Sequence, residues 1–270
     1  MSDTTRETIV GIVKERYGAI AEGKVFGACC GGTASEKLAI GVGYDTTDLA
    51  AIPDEANLGL GCGAPVAHLA LRPGETVVDL GSGAGLDAFL AARVVGPEGQ
   101  VIGVDMTPAM LKKARENAAR GGYAQVEFRE GRLEALPVAD SSVDAVMSNC
   151  VINLVPDKAT VFAEIARILR PGGRLAISDI VLEAALPEAV VVDVYAYVGC
   201  ISGAVLRDDY LAMLAKAGFD RVEIIKDIDY LAAAGDTLDD PVADALRRNG
   251  LAPADIAGKV RSITFRAFKR

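Results

Sequence analysis

Residues 77–87 read VVDLGSGAGLD, and the fold turns on them. Val77 to Leu80 is a short apolar run, suited to a strand buried on both faces. Gly81-x-Gly83-x-Gly85 follows, and residues 85–95 then read as a helix. Glycines allow a tight turn and let a ligand come close to the main chain. The helix start adds unpaired N–H groups. In the dinucleotide fingerprint G-x-G-x-x-G the second gap is one residue longer than here. Asp79 stands just before the loop. The next apolar run, QVIGVD (100–105), ends in Asp105, an acid placed to meet a ribose diol.

The same alternation continues outward. Residues 107–120 read as a helix with Thr107 as N-cap and Pro108 in the first turn. AQVEFRE (124–130) and SVDAVMSN (142–149) read as strands. Residues 157–170 read as a helix stopped by Pro171-Gly172-Gly173, and 174–181 as a strand. Alternating strands and helices predict an α/β, Rossmann-like, doubly wound and mostly parallel sheet. Past residue 182 come a helix (206–219), a strand (221–226), a helix near 239–249 and a last strand (262–268). They read as completion of the sheet, an antiparallel edge included. Upstream, residues 4–22 and 66–72 read as helices, and 23–65 as a long irregular arm. The expected organisation is therefore an N-terminal helix and Cys-containing arm (1–65), a ligand-binding core (66–182) and a small α+β C-terminal part (183–270) that completes the sheet and contributes to the substrate site.

Bulk properties narrow the function. The chain has 270 residues, 51% of them hydrophobic, so a packed fold is expected. A net charge of −9 argues against nucleic-acid or anionic-membrane partners, which need a basic face. The first residues carry no basic segment followed by an apolar one, and acids interrupt the most apolar stretch, 174–206. Five cysteines without a secretory pattern predict reduced thiols and a cytoplasmic location.

The glycine loop, Asp79 and Asp105 together resemble the first motif and following acid of S-adenosylmethionine (AdoMet) methyltransferases. A nicotinamide-dependent oxidoreductase is the alternative. It would lack an obvious acid for hydride transfer, since His68 is the one histidine.

The cysteines sharpen the reading. Cys62 lies between Gly61 and Gly63. Cys150 and its neighbour Asn149 end a strand at the ligand-binding edge of the predicted sheet, and Cys200 sits in GCISGA. A cysteine can be an inert small hydrophobe. Thiolates, however, select soft acceptors, and three without a fourth suit a trigonal pyramidal ion with a lone pair, such as trivalent arsenic.

The chain resembles the arsenite methyltransferases from about residue 17 onward. The resemblance is carried by GCGAP around Cys62, by VVDLGSGAGLDAFLAARVVGPEGQVIGVDMTPAMLKKARENA, by SNCVINLVPDKATVFAEIARILRPGGRLAISDIV with Cys150, and by GCISGA with Cys200. It implies methyl transfer from AdoMet to As(III), arsenite or methylarsenite, bound by the Cys62, Cys150 and Cys200 thiolates, for detoxification. It implies a relay in which Cys30 or Cys29 exchanges disulfides with Cys62, renewed by a thiol reductant, thioredoxin or glutathione. Gly61 and Gly63 would let Cys62 swing between metalloid and disulfide partner. For AdoMet it implies Asp79, Gly81, Ser82, Gly83 and Gly85 at the loop, with Asn149 beside the pocket. Asp105 would take the ribose and Met106 would lie beside the adenine, capped by Leu133 and Glu134. Leu60 and Ala64 depart from the family pattern, which commonly has an aromatic and an Asn there. An AdoMet methyltransferase for a quinone or other small metabolite, and a metalloid-binding or redox protein, are the competing readings.

Overall fold

A computed structural model describes residues 3–24, 35–191, 197, 200–230 and 246–270. Its centre is a seven-stranded sheet. The strands are β1 (Thr76–Leu80), β2 (Gln100–Asp105), β3 (Val126–Glu130), β4 (Val143–Asn149), β5 (Leu169–Leu182), β6 (Phe219–Asp229) and β7 (Val260–Lys269). Their order is β3-β2-β1-β4-β5-β7-β6. The first five are mutually parallel, and β7 runs antiparallel between β5 and β6. The α/β class expected from the sequence is thus observed.

Alternation along β1 sets the layers. Val78 and Leu80 point into one core with Val104, Val146, Phe162, Ile165 and Tyr210, while Val77 joins Val101, Met147, Phe89 and Ala91 on the other side. Side chains alternate across a strand, so each β-branched residue fills one layer. Burying such a side chain contributes roughly 1.5–3 kcal/mol. A one-residue slip would empty both layers, which is why the register is specific.

The helices are α1 (Asp3–Ala21), α2 (Ser35–Val42), α3 (Thr46–Leu49), α4 (Leu86–Val95), α5 (Pro108–Gly121), α6 (Lys158–Ile168), α7 (Glu188–Val191) and α8 (Arg207–Lys216). Gly122, left-handed at φ 68°, ends α5. The Asp157 side chain caps α6 by accepting from the Thr160 N–H at 3.1 Å.

The structure corrects several sequence expectations. Part of the segment read as an irregular arm is ordered: α2, α3 and a 3-10 turn at Asp54–Ala56 lie within it. Apolar residues of this segment, Ala39, Leu49, Ile52 and Ala56, are buried in the same layer as Phe89, a tertiary docking that short, weakly periodic segments do not announce. The helix expected at 66–72 is a single 3-10 turn, Pro65–His68. Helix α6 ends at Ile168, and β5 begins before Pro171-Gly172-Gly173 rather than after it. The helix expected near 239–249 lies largely outside the described residues, as do Cys29 and Cys30.

Candidate active site

The carboxyl ends of β1 and β4 lie side by side, at the point where the strand order reverses. Open α/β sheets bind ligands at such a switch point. A cavity opens here, with about 1030 Å³ of space between protein atoms, its open mouth included.

The glycine loop forms its floor. Gly81, Gly83 and Gly85 are all left-handed, at φ 67°, 51° and 100°. A Cβ on Gly81 would stand 2.5 Å from Val151 Cγ2, and one on Gly85 2.5 Å from the Phe89 ring. Around Gly83 there is room: an added Cβ would meet only Met110 Sδ, at 4.0 Å. The Asp105 carboxylate braces the loop, accepting from the Gly83 N–H at 3.0 Å and the Thr107 N–H at 2.8 Å.

The predicted cofactor residues divide into two groups. Gly81, Gly83, Asp105 and Met106 line the cavity, as do Leu133, Glu134 and Asn149. Asp79, Ser82 and Gly85 are not part of its wall. Asp79 and Ser82 are buried, and neither Asp79 Oδ2 nor Ser82 Oγ has a hydrogen-bond partner among the described residues.

Two contributors were missed by sequence reasoning. Helix α1 roofs the cavity with Val10, Val13 and Tyr17. Its apolar stripe is visible in the sequence, but what the stripe covers is not. At its outer side Arg132 donates to Glu7 at 2.7 Å and to Glu134 at 3.3 Å. The other is Asp87, in the first turn of α4, which lines the cavity and is buried. Burial pushes its carboxyl up to about 6 against the hydrogen bonds of Asn149 and Tyr44. Asp79 is raised well above the usual carboxylate range, by burial first and then by the charges of Asp87 and Asp105. Burial raises Asp105 as well. An acid-rich wall beside apolar Met106, Met110 and Leu133 fits AdoMet, whose sulfonium and ammonium groups are cationic and whose adenine is flat and apolar-faced.

The three cysteines meet. Cys62, Cys150 and Cys200, remote in sequence, fall in one buried cluster with Leu154, Ile180 and Ile201, and Cys150 lines the cavity. Cys62 and Cys150 form a disulfide with Cα atoms 5.8 Å apart. The Cys200 thiol donates to the Cys150 carbonyl oxygen at 2.9 Å. Cys150 and Cys200 are left-handed, at φ 57° and 65°, a conformation disfavoured for residues with a Cβ and found where the surroundings over-determine it. Among the described residues no group of three or more His, Cys, Asp and Glu side chains is arranged to hold a metal ion.

One expectation needs correction. Reduced thiols were expected, but Cys62 and Cys150 are bonded to each other, Cys62 being seated against Asn149 at the end of β4 and Ser262 of β7; the expected exchange of Cys62 with Cys30 or Cys29 lies outside the described residues. Gly61 and Gly63 were expected to give Cys62 room to swing. Neither is left-handed, and a Cβ on Gly61 would stand 2.8 Å from Asn149 Nδ2 while one on Gly63 would collide with Ser178. In this state the glycines serve close packing. The Cys62 N–H donates to Asn149 Oδ1 at 3.0 Å, and Ser262 Oγ donates to the Cys62 carbonyl at 3.0 Å.

Residues 71–218 match the family model described as a methyltransferase domain, which agrees with the fold and cavity. The chain is 50% identical over 236 residues to an arsenite methyltransferase of Halobacterium salinarum, covering 83% of this chain and 60% of that protein. It is 36% identical over 145 residues to the human arsenite methyltransferase, covering 50% of this chain and 39% of that one. The crystal structure of an arsenic(III) S-adenosylmethionine methyltransferase from Chlamydomonas reinhardtii superposes with a TM-score of 0.64 at 33% identity, over 87% of this chain and 73% of that one. The chain belongs to the arsenite methyltransferase family. It spans about 60% of the length of the halobacterial relative.

Proposed function

We propose that this protein transfers a methyl group from AdoMet to As(III) held by the thiolates of Cys62, Cys150 and Cys200. The observation that carries this reading is the meeting of those three cysteines in one buried cluster at the cavity edge. The names of the relatives support it.

The cavity residues hold and orient. Asp87, Asp105 and Glu134 present negative charge to a cationic ligand, and α1 excludes water from above. Bound AdoMet supplies an electrophilic methyl group, the sulfonium sulfur keeping the C–S electron pair as the arsenic lone pair forms the new As–C bond. Such a displacement depends on alignment rather than on acid–base help. Arsenic becomes formally pentavalent. Two cysteine thiolates return it to the trivalent state by giving up two electrons and joining as a disulfide, and the Cys62–Cys150 bond is one pairing that satisfies this balance. A dithiol or thiol reductant of the thioredoxin or glutathione kind would then reopen the site by exchange, with Cys30 or Cys29 as relay. This reading places the protein in the cytoplasm, where such reductants are available. No helix among the described residues is long and apolar enough to cross a membrane.

The test is transfer of labelled methyl from AdoMet to arsenite in the presence of a dithiol. Wild type is expected to form methylarsenic, and Cys150→Ser to lose at least about 10²-fold in rate while still binding AdoMet. Wild type that binds AdoMet yet makes no methylarsenic would overturn the proposal in favour of a small organic acceptor.

A further inference from the structure

Tyr44 lies outside the residues that match the methyltransferase domain, yet it is buried against the site. Its hydroxyl donates to Asp87, with Oδ1 and Oδ2 at 2.8 and 2.9 Å. The same hydroxyl accepts from Asn149 Nδ2 at 2.8 Å. Asn149 Nδ2 also faces the Gly63 carbonyl at 2.7 Å and Asp87 Oδ2 at 3.0 Å, while its Oδ1 accepts from the Cys62 N–H. An amide nitrogen has two hydrogens. One serves Gly63, and the other is shared by Tyr44 and Asp87. The Asn149 amide therefore grips the Cys62 loop on both sides of the sulfur-bearing residue, from the position next to Cys150.

An exchange of the amide's two ends would set oxygen against the Gly63 carbonyl and N–H against the Cys62 N–H, so the loop alone already favours the observed orientation. The Tyr44–Asp87 pair reinforces that orientation and anchors the amide from the side away from the loop. A carboxylate and a hydroxyl that already donates to it both demand a donor, so only Nδ2 can face them. We propose that Tyr44 is a positioning residue that, through Asp87 and Asn149, holds the backbone of Cys62 opposite Cys150. The inference rests on the reading of these cysteines as the methyl-transfer site, but its physical content is the juxtaposition of two sulfurs, which can be measured without arsenic.

The test uses the full-length protein. The thiol–disulfide equilibrium of Cys62 and Cys150 is measured against a dithiothreitol buffer by alkylation and mass spectrometry, alongside the AdoMet Kd and methyl transfer to arsenite. Tyr44→Phe removes one oxygen that does not line the cavity. It is expected to lower the disulfide equilibrium constant and kcat each by roughly tenfold, the scale of one hydrogen bond to a charged group, and to leave the AdoMet Kd within about twofold. Asp87→Asn, which keeps the side-chain shape, is expected to shift the disulfide equilibrium in the same direction, and it decides the matter if Tyr44→Phe does not fold. An unchanged equilibrium in the folded variants overturns the positioning role. A lowered equilibrium in a protein whose wild type makes no methylarsenic sustains the positioning role and overturns the arsenite reading instead.

Discussion

Asp79, Asp87 and Asp105 crowd one end of the sheet, and none has a cationic side chain against it in an ion pair among the described residues. Asp87 is pushed up to about 6, and Asp179, buried beneath Asn153 and Tyr210, up to about 7, each chiefly by desolvation. A carboxyl whose folded-state pKa is raised binds more protons folded than unfolded. Its contribution to stability is complete below the ordinary value of 3.8 and is lost as pH rises through 6 to 7. Ligand-free protein is therefore expected to melt lower at pH 7.5 than at pH 5.5, by a difference on the order of 1–3 kcal/mol. Asp87→Asn should flatten part of that slope. AdoMet, being cationic, should bind tighter at pH 7.5 than at pH 5.5, a comparison that calorimetry makes directly. At the glycine loop the outcome is steric. Gly81→Ala adds a methyl group to a left-handed residue and drives it against Val151. A loss of about 2 kcal/mol or more and abolished AdoMet binding are expected, read by denaturant melts and by titration.

At the scale of elements, α1 is held by two different forces. Val13 is buried in the cavity roof, and Tyr17 and Ile20 pack with Met110 and Leu60. The Glu7–Arg132 ion pair spans the same junction, with side chains 67% and 40% exposed. Exposed pairs contribute about 0–1 kcal/mol, and each buried methylene about 0.8 kcal/mol. Val13→Ala is thus expected to weaken AdoMet binding roughly three- to tenfold. Glu7→Ala should weaken it less than about threefold. A larger effect at Glu7 than at Val13 would mean that charge, not apolar cover, holds the roof.

Across the whole molecule, the site is assembled from parts far apart in the chain. Cys62 is bonded to Cys150, 88 residues on, and its carbonyl is held by Ser262, 200 residues on. Strand β7 reaches that point only because it inserts antiparallel between β5 and β6. Closing a loop of this length stabilises by roughly 4–5 kcal/mol in the chain-entropy model. Reduction with a dithiol is expected to lower the Tm by up to about 10 °C, measured by calorimetry with and without reductant. Cys150→Ser should melt like the reduced protein whether reductant is present or not.

What the sequence determined by itself was the strand–loop–helix rhythm, the sheet class, the switch-point loop and the three cysteine segments. Each is a local pattern: apolar period, glycine spacing, residue type at a strand end. Tertiary structure decided the rest. The 35–56 segment becomes helical by docking on the layer around Phe89, Gly61 and Gly63 turn out to serve packing against Asn149 and Ser178, and Cys62 takes Cys150 as its partner. It also brings α1 over the cavity and Tyr44 onto Asp87. These are contacts between surfaces 40 to 200 residues apart. Their energy comes from complementarity of shape and hydrogen-bond direction across the folded chain, which no stretch of sequence carries alone.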